Sequence, residues 1–392
     1  MTDGNLKVAI AGGGIGGLAT AIALAKHAIP SRVFERRAAF PEEGAGIQIG
    51  PNGTRILEGL GVADLLRDQA ATPDALSVRD GATGRELTRL PLGSWIAGRH
   101  ASPYWTAHRK DLHVALRQRA DADPLITLTT GVEIVSVIDE GAEIRAVAAN
   151  GETFNASLLV AADGIWSKLR KHVAADTTPR PIGKIALRSV TLADALPAGL
   201  RRNAVHIWLA PGGHVVHYPV NHGRDIALVV IADDPSHDVE WDLPASGQAA
   251  QQKVRSFAEP VHSLVEKAAP WRHWALHSLP ELNSWSAGRT VLLGDAAHPV
   301  LPFLAQGAVL ALEDATTLAA CIACHNNDIA MALRSYEQTR RPRARRVAQA
   351  SARNGRIYHM AGINAVARNT ALRMTPPNRV MAGFDWLYGW RL

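Results

Sequence analysis

The sequence predicts an α/β fold in which a Rossmann-type unit is interleaved with a mostly β second unit and followed by C-terminal helices. Three observations support this prediction. The first 35 residues read as strand, glycine-rich turn, helix and strand; two later apolar segments end in polar turns; and residues 179–278 are rich in strand-like patches. A chain of 392 residues is long enough for two to three packed units.

The N-terminal segment has the pattern of a β-α-β unit. Residues 7–11 and 31–35 are short apolar strands, and residues 18–27 form a helical stretch between them. The turn before the helix spells GxGxxG, and Glu35 closes the second strand. Glycines at these three places permit a tight turn, close approach of the backbone to a pyrophosphate, and tight packing of helix on strand.

This arrangement predicts a dinucleotide site. The start of the helix offers free N–H groups and the positive end of its dipole to phosphates, and Glu35 can accept a hydrogen bond from a ribose hydroxyl. A purely structural glycine-rich turn is the alternative. The residues expected to contact the dinucleotide here are Gly12, Gly14, Ile15, Gly16, Gly17, Glu35 and Arg36.

Two later segments are also apolar strands that end in polar turns. Residues 158–165 end in Asp163-Gly164, with Ser167 and Arg170 shortly after, and residues 290–293 run into GDAAHP. Together with GxGxxG, these motifs in this order resemble the class A flavoprotein monooxygenases, the para-hydroxybenzoate hydroxylase group. Within that family, the sequence most resembles the branch of salicylate, 3-hydroxybenzoate and 6-hydroxynicotinate hydroxylases.

The resemblance spans nearly the whole chain and implies a function. Members of this family bind FAD, take electrons from NADH or NADPH, and hydroxylate a small aromatic substrate with dioxygen through a flavin C4a-hydroperoxide. Carried over to this chain, Asp295 of GDAAHP hydrogen-bonds the ribityl chain of FAD, and Asp163 serves both flavin and pyridine nucleotide. Arg109, in HRKDLH, matches a basic residue that steadies FAD; a helix-capping surface charge is the alternative.

The loop after GDAAHP is expected to bound the flavin. Residues 302–307 spell PFLAQG and lead into an apolar helix, whose N-terminal N–H groups and dipole could face the negative charge of a reduced flavin. A plain strand-loop-helix connection is the alternative. The expected flavin contacts in this loop are Pro302, Gln306, Gly307 and Ala308, and Pro302 is also a substrate contact.

The strand-rich middle of the chain supplies the candidate catalytic residues. Alternation along HVVHYP places His214 and Tyr218 on one face of a strand and His217 on the other. A phenol must lose its proton before its ring carbon attacks, and histidine is suited to take that proton near neutral pH. We therefore predict His214 as the base, with Tyr218 orienting the substrate. The resemblance supports this pair, since the same branch carries a histidine and a tyrosine four apart at this point; a structural strand histidine is the alternative.

Further substrate contacts are predicted at Gln48 and His217. Gln48 stands where the 6-hydroxynicotinate enzymes carry histidine, and it is expected to contact flavin or substrate through its amide, or simply to pack. The family branch and the formal net charge of +6 favour an anionic ligand. The predicted substrate is thus a small hydroxylated aromatic acid, and no metal is expected.

The family fold also implies how the chain divides. A discontinuous FAD-binding domain is expected over residues 1–75, 100–178 and 279–345, a mostly β substrate domain over 76–99 and 179–278, and a helical segment over 346–392. The tail that holds Trp386, Tyr388 and Trp390 is expected to form a hydrophobic clasp, with a homodimer contact as the alternative.

Composition argues against several other classes. The basic residues are not interleaved with aromatic ones, so nucleic-acid binding is not expected, and the arginine run at 340–346 is expected to be a solvated helix face. Glycines interrupt the apolar stretch at 8–25, so neither a membrane helix nor an export signal is predicted, and the default location is the cytoplasm. The rival functions are a related flavoprotein that inserts no oxygen and a flavin-binding protein without turnover.

Overall fold

The computed structural model describes residues 6–39, 45–175, 177–234, 241–326 and 328–392. Strands and helices alternate through the first 300 residues, and helices alone follow. The strands are β1 (Val8–Ala11), β2 (Ser31–Glu35), β3 (Gly46–Ile49), β4 (Ala75–Asp80), β5 (Glu86–Pro91), β6 (Trp105–His108), β7 (Ile126–Thr130), β8 (Ile134–Asp139), β9 (Ile144–Ala148), β10 (Thr153–Ala156), β11 (Leu158–Ala161), β12 (Arg180–Leu192), β13 (Ala204–Ala210), β14 (Gly213–Val220), β15 (Asp225–Asp233), β16 (Trp241–Ala245), β17 (Trp271–Ser278), β18 (Ser286–Ala287) and β19 (Thr290–Leu292).

The helices vary from single turns to one of 30 residues. They are α1 (Ile15–Ala25), α2 (Pro51–Gly59), α3 (Ala63–Arg67), α4 (Gly93–His100), α5 (Arg109–Asp121), α6 (Arg170–Val173), α7 (Gly247–Lys253), α8 (Glu259–Lys267), α9 (Gly307–Cys324), α10 (Ile329–Tyr358), α11 (Gly362–Met374), α12 (Pro377–Ala382) and α13 (Asp385–Tyr388).

The first sheet is a six-stranded Rossmann-type sheet in the order β18-β19-β11-β1-β2-β7. Its strands β19, β11, β1, β2 and β7 are parallel, and only the short edge strand β18 is antiparallel. The strands are fully apolar where they are buried on both faces, as parallel sheets require. All the strands that precede the three sequence motifs lie side by side here, so the predicted α/β fold is confirmed.

The second large sheet has eight strands in the order β16-β17-β12-β15-β14-β13-β4-β5. It draws on residues 75–91 and 180–278, so it is interleaved with the first unit along the chain. One face packs under α7 and α8 around Trp208 and Val215. The opposite face, called the inner face below, carries Val216 and Tyr218 and packs toward α9, α10 and the C-terminal helices. The precise limits of the two domains stay a prediction.

The C-terminal helices close over both sheets. Helix α10 runs through Pro342 without ending, and the tail folds back onto it. The Trp386 ring lies 4.1 Å from the Arg346 guanidinium carbon, and the Trp390 ring lies 5.1 Å from that of Arg340. These cation–π contacts make the tail an intramolecular clasp in this structure.

Helix α9 is central to the first unit. In the described part of the chain, it is the one helix long and apolar enough to span a membrane. Most of it is buried, and its residues Val309, Leu312 and Leu318 belong to the main hydrophobic core with α1. A core helix of a globular protein has the same length and composition.

Candidate active site

The glycine-rich turn between β1 and α1 is built as a backbone cradle. Gly12 has a φ of +108°, and a Cβ there would lie 2.3 Å from the carbonyl oxygen of Ala162. A Cβ at Gly17 would lie 1.9 Å from the carbonyl oxygen of Gly12. Gly14, in contrast, has no atom within 4 Å of its Cβ position and begins α1 without a side-chain cap. The start of α1 therefore faces open space with unpaired N–H groups, as a phosphate site requires.

Glu35 is held at the same turn by two backbone donors. The Gly13 N–H donates to its Oε2 at 3.0 Å, and the Arg37 N–H donates to its Oε1 at 3.0 Å. Each carboxylate oxygen keeps a further lone pair for a hydroxyl. Arg36, the next residue, is exposed beside it. Both residues lie where the sequence places the ribose end of a dinucleotide.

A second turn follows β11 and is fastened to the GDAAHP turn. The Asp163 Oδ2 accepts from the N–H of Lys168 at 3.0 Å, while its Oδ1 is buried without a partner among the described residues. Burial raises the pKa of this carboxyl. The Arg170 guanidinium donates to the carbonyls of Ile165 and Ala296, both at 2.8 Å. Arg170 therefore links two motifs that are 125 residues apart in the chain.

Asp295 lies at the end of β19, beside the start of α9. Its Oδ1 is 4.0 Å from the Cβ position of Gly307. The side chain is solvent-accessible, yet the surrounding protein desolvates it enough to raise its pKa, while Arg109 opposes that shift. Arg109 is the first residue of α5, is exposed, and has no ion-pair partner in the described ranges. The two motif residues therefore share one side of the cradle.

The loop after GDAAHP forms a short 3-10 turn, Pro302–Leu304, and then α9. Ala305 takes a φ of +52°, which is uncommon for a residue other than glycine. The Gln306 side chain turns inward and accepts from Asn52 Nδ2 at 3.0 Å. Any contact of Gln306 with a cofactor would thus come from its backbone. Gly307 and Ala308 are partly exposed at the helix start.

Beneath this loop lies a buried ion cluster, formed by Arg340, Glu313, Asp314, His298 and Arg343. The Arg340 guanidinium pairs with Asp314 at 2.7 Å and with Glu313 at 2.8 Å, and all three side chains are fully buried. Arg343 pairs with Glu313 at 2.9 Å, and His298 Nε2 lies 2.6 Å from Asp314 Oδ2. The expectation of a solvated arginine face is therefore wrong for Arg340 and Arg343, which hold α10 to α9.

On the inner face, Tyr218 is joined to the first unit. The Gln48 side chain lies near its hydroxyl and opposes the rise of its pKa, and the Tyr104 hydroxyl donates to Gln48 Oε1 at 2.7 Å. The Tyr218 ring also packs against Gly46, where a Cβ would lie 2.8 Å from the tyrosine hydroxyl. Burial raises the pKa of Tyr218 to about 12, so the phenol stays protonated. Gln48 therefore lies between the hydroxyl groups of Tyr104 and Tyr218.

His214 lies four residues before Tyr218 on the same strand, β14. It shares the inner face with Tyr218, as alternation predicts, and its ring is 5.7 Å from that of Phe303 in the loop. Its Nδ1 is 2.8 Å from Nε2 of His359. Burial lowers the pKa of His214 well below its usual range, so the imidazole is neutral and one of its ring nitrogens is a hydrogen-bond acceptor.

His217 points to the other side of the sheet. Its ring stacks on His206 at 4.5 Å, and Trp208 Nε1 donates to its Nδ1 at 3.2 Å. The whole group lies on the face covered by α7 and α8. The expectation that His217 binds substrate does not agree with this placement, because the sheet separates it from Gln48 and Tyr218.

Arg188 is a candidate site residue that the sequence interpretation did not select. It pairs in register with Val229 of β15, which pairs with Val216 of β14, so its side chain shares the inner face. Its guanidinium carbon lies 5.0 Å from the Trp274 ring, and its Nε is buried without a partner. Within the described ranges no carboxylate forms an ion pair with it. Burial, reinforced by Arg109, lowers its pKa, yet a guanidinium stays charged.

Comparison with known proteins agrees with this geometry. Residues 5–351 match the family described as an FAD binding domain. The chain is 33% identical to a 3-hydroxybenzoate 6-hydroxylase of Klebsiella oxytoca, with 98% of this chain and 97% of that protein covered. It is 32% identical to a 6-hydroxynicotinate 3-monooxygenase of Pseudomonas fluorescens, with 88% and 90% covered. A salicylate hydroxylase in complex with substrate superposes with a TM-score of 0.83 at 26% identity, with 100% and 97% covered.

The chain belongs to the FAD-binding family of flavoprotein aromatic hydroxylases. The predicted family, the flavin cofactor and the monooxygenase class are thereby confirmed. Bound FAD supplies the redox chemistry, since it accepts electrons from a nicotinamide and passes them to dioxygen.

The residues present fit an FAD. The open N-terminus of α1 would take the pyrophosphate, the Glu35 carboxylate a ribose, and Asp295 with Arg109 the part of the cofactor nearest α9. The unpartnered Oδ1 of Asp163 and the accessible N-terminus of α9 remain as polar groups that a ligand can satisfy. These individual contacts remain predictions.

Three further residues near the candidate site are not marked by any short motif. Arg188 interrupts the apolar run IALRSV in β12, and a lone charge in a buried strand is a signal that could have found it. Tyr104 and His359 are different, because only the folded chain brings them to Gln48 and His214.

Proposed function

We propose that this hydroxylase acts on a small phenolic carboxylic acid of the 3-hydroxybenzoate, salicylate or hydroxynicotinate kind. It uses NADH or NADPH and dioxygen, and a cytoplasmic location is proposed with it. The observation that carries the substrate class is Arg188, an uncompensated guanidinium on an otherwise largely apolar inner face. Arg188 is half-buried and pairs with no carboxylate in the described ranges, so a carboxylate that enters the site would gain a charge-assisted hydrogen-bond partner there.

The register of the inner face sets the scale of the site. Arg188 lies in the row of Val229 and Val216, two strands from β14, so its Cα is about 10 Å from that of Val216. His214 and Tyr218 flank Val216 on β14. A single aromatic ring can thus place a carboxylate toward Arg188 while its hydroxyl approaches β14, where the neutral His214 can take the proton and Tyr218 can orient the ring.

The test compares an acid with its neutral twin. Purified enzyme is assayed with 3-hydroxybenzoate and 3-hydroxybenzamide, and NAD(P)H oxidation and hydroxylated product are scored separately. Arg188→Gln should raise the KM for the acid by about 10- to 100-fold, the loss expected for a hydrogen bond to a charged group. The KM for the amide should change little, because its binding never used the charge.

Arg188→Lys is the matched control, since it keeps the charge and loses the planar fork. It should recover part of the affinity for the acid. An Arg188→Gln enzyme that loses acid and amide equally, or neither, contradicts the anchor. If the wild-type enzyme prefers neutral phenols over every acid tested, the proposed substrate class is wrong. If NAD(P)H is oxidised with every compound tested and no hydroxylated product forms, the proposed oxygen insertion is wrong.

A further inference from the structure

The predicted base, His214, is one half of a pair of histidines in contact, of which His214 is buried and His359 half-buried. Its Nδ1 lies 2.8 Å from Nε2 of His359, the residue that directly follows α10. The backbone joins the two segments as well, because the Gly212 N–H donates to the His359 carbonyl at 3.4 Å. The C-terminal helix and the substrate sheet are therefore linked at the very residue expected to handle the substrate's proton.

The surroundings of the pair differ at its two ends. The His214 ring lies among aromatic rings, 5.7 Å from Phe303 and 5.2 Å from Tyr358, and is buried. His359 lies nearer the surface, where the Lys184–Asp233 ion pair bridges β12 and β15. Its pKa is lowered to about 4 by burial and by Lys184, and Asp233 opposes that shift.

The end of α10 opposes the effect of burial on the charge of His359. The last carbonyls of α10 carry the negative end of the helix dipole, which stabilises a cation at that end. Arg368 of α11 opposes this, because it donates to the carbonyls of Ile357 at 3.0 Å and Tyr358 at 2.8 Å. The Asp233 carboxylate, half-turned to solvent, is the acid that faces His359.

We propose that His359 is the positioning residue and proton acceptor for His214, so that the substrate's proton passes along a two-histidine relay to the end of α10, where the charge of Asp233 favours it. This inference rests on the proposed role of His214. The substrate hydroxyl gives its proton to Nε2 of His214, and the proton on Nδ1 of His214 passes to Nε2 of His359. Only protons move: His214 ends neutral, the phenolate is free to react, and the charge rests at the end of α10.

The relay has a structural corollary. His214 can be a base at Nε2 only while its Nδ1 holds a proton and donates it, and His359 is the acceptor that selects this tautomer. Without His359, the charge formed on His214 would stay between Phe303 and Tyr358, with no hydrogen-bond acceptor at Nδ1. The base is then weakened most where the phenol does not ionise by itself, which is at neutral pH.

The experiment measures hydroxylation of 3-hydroxybenzoate by the holoenzyme from pH 6 to 10, with FAD content and the rate of flavin reduction as internal controls. His214→Gln should retain FAD and its reduction, and lose about 10²- to 10⁴-fold in hydroxylation, least at high pH. His359→Gln can accept a hydrogen bond and cannot take the proton. It should lose about tenfold at pH 7, recover by pH 10, and shift the rising limb of kcat/KM upward by about one pH unit.

Two further variants keep the outcome decisive. Tyr358→Phe preserves the ring against His214 and should leave the pH profile unchanged. Asp233→Asn removes an exposed carboxylate and its ion pair with Lys184, so its unfolding midpoint is measured alongside, and it should shift the limb in the same direction by less. If His359→Gln and Asp233→Asn both keep the wild-type pH profile while His214→Gln is impaired, the relay is wrong and His214 alone acts as the base. Normal hydroxylation by His214→Gln overturns the base itself.

Discussion

Arginine is used in opposite ways in two regions of this hydroxylase. In the buried ion cluster below the flavin loop, Arg340 is fully buried and paired with two carboxylates. On the inner face of the substrate sheet, Arg188 is largely desolvated and has no such partner in the described ranges. A compensated charge holds helices together, whereas an uncompensated one is tolerated where a ligand completes it.

The largest expected effect on stability comes from breaking the compensated cluster. Arg340→Leu leaves Glu313 and Asp314 buried without their main cation, and removing one partner of a buried pair costs about 3–5 kcal/mol. The measurement is the shift of the urea unfolding midpoint of the purified holoenzyme. Arg345→Ala is the control, because Arg345 is exposed and lies 3.4 Å from an exposed Glu281; its effect should stay within about 0.5 kcal/mol.

The contrast sharpens if Arg188 is tested in the same assay. Arg188→Gln removes a cation that no carboxylate balances, so it should not destabilise the protein and should weaken only the binding of the acid. Equal destabilisation by Arg340→Leu and Arg188→Gln would show that both arginines are structural.

A second expected effect is on the pH dependence of stability. It comes from His206, which stacks on His217 on the other face of the substrate sheet. Burial, with Arg79 and Arg89 nearby, lowers the pKa of His206 to about 4, and neither ring nitrogen has a hydrogen-bond partner among the described residues. The unfolded chain takes up this proton near pH 6.5 and the folded chain only near pH 4. Stability is therefore full above pH 6.5 and falls by about 3 kcal/mol as the pH drops to 4, from about 2.5 pKa units at 1.36 kcal/mol each.

The ion cluster responds at lower pH. Burial alone would raise the pKa of Asp314, but His298 and Arg340 outweigh it and lower the pKa to about 2. Its stabilisation is present above the unfolded pKa of about 3.9 and is lost only as the pH falls toward 2. The difference between the unfolding midpoints at pH 7 and 4.5 should shrink in His206→Phe and keep its wild-type size in the exposed control His27→Ala, because His214 and His359 still contribute in both variants. Equal losses in both variants and the wild type would exclude His206.

Local motifs predicted the backbone-built part of the site and not the side-chain part. GxGxxG works through turn geometry and backbone N–H groups, so its spelling alone placed the turn and a helix after it, although α1 begins at Ile15, three residues before the predicted start. Strand alternation likewise placed His214 and Tyr218 on one face. Whether an arginine is buried depends on distant partners, however: the period of α10 puts Arg340 in the buried stripe of Ala344 and Val347, a signal that the arginine-rich spelling concealed.

The remaining side chains could not be predicted because tertiary register decides them. His359 is 145 residues from His214, and Tyr104 is 56 residues from Gln48. His217 illustrates the converse, since alternation alone already places it on the far face from His214 and so argues against a substrate contact. In the structure it packs against Trp208 and His206 instead.

The smallest effect on stability, and a large one on cofactor binding, is expected from Asp295→Ala. The Asp295 side chain makes no hydrogen bond in the described part of the chain, and Asp314 nearby even disfavours its charge. Its removal should leave the unfolding midpoint of the flavin-free protein within about 0.5 kcal/mol of wild type. Flavin should nevertheless be lost on purification, because the family assigns this carboxylate to the ribityl hydroxyls.

Titration of the flavin-free protein with FAD, followed by flavin fluorescence, measures the affinity directly, and Asp295→Asn shows whether the negative charge or only the hydrogen bond is required. If Asp295→Ala retains FAD at wild-type affinity, the ribityl chain does not bind at GDAAHP. If the flavin-free variant also unfolds at a lower urea concentration than the flavin-free wild type, Asp295 has a structural role, like the buried ion cluster, and does not serve the ligand alone.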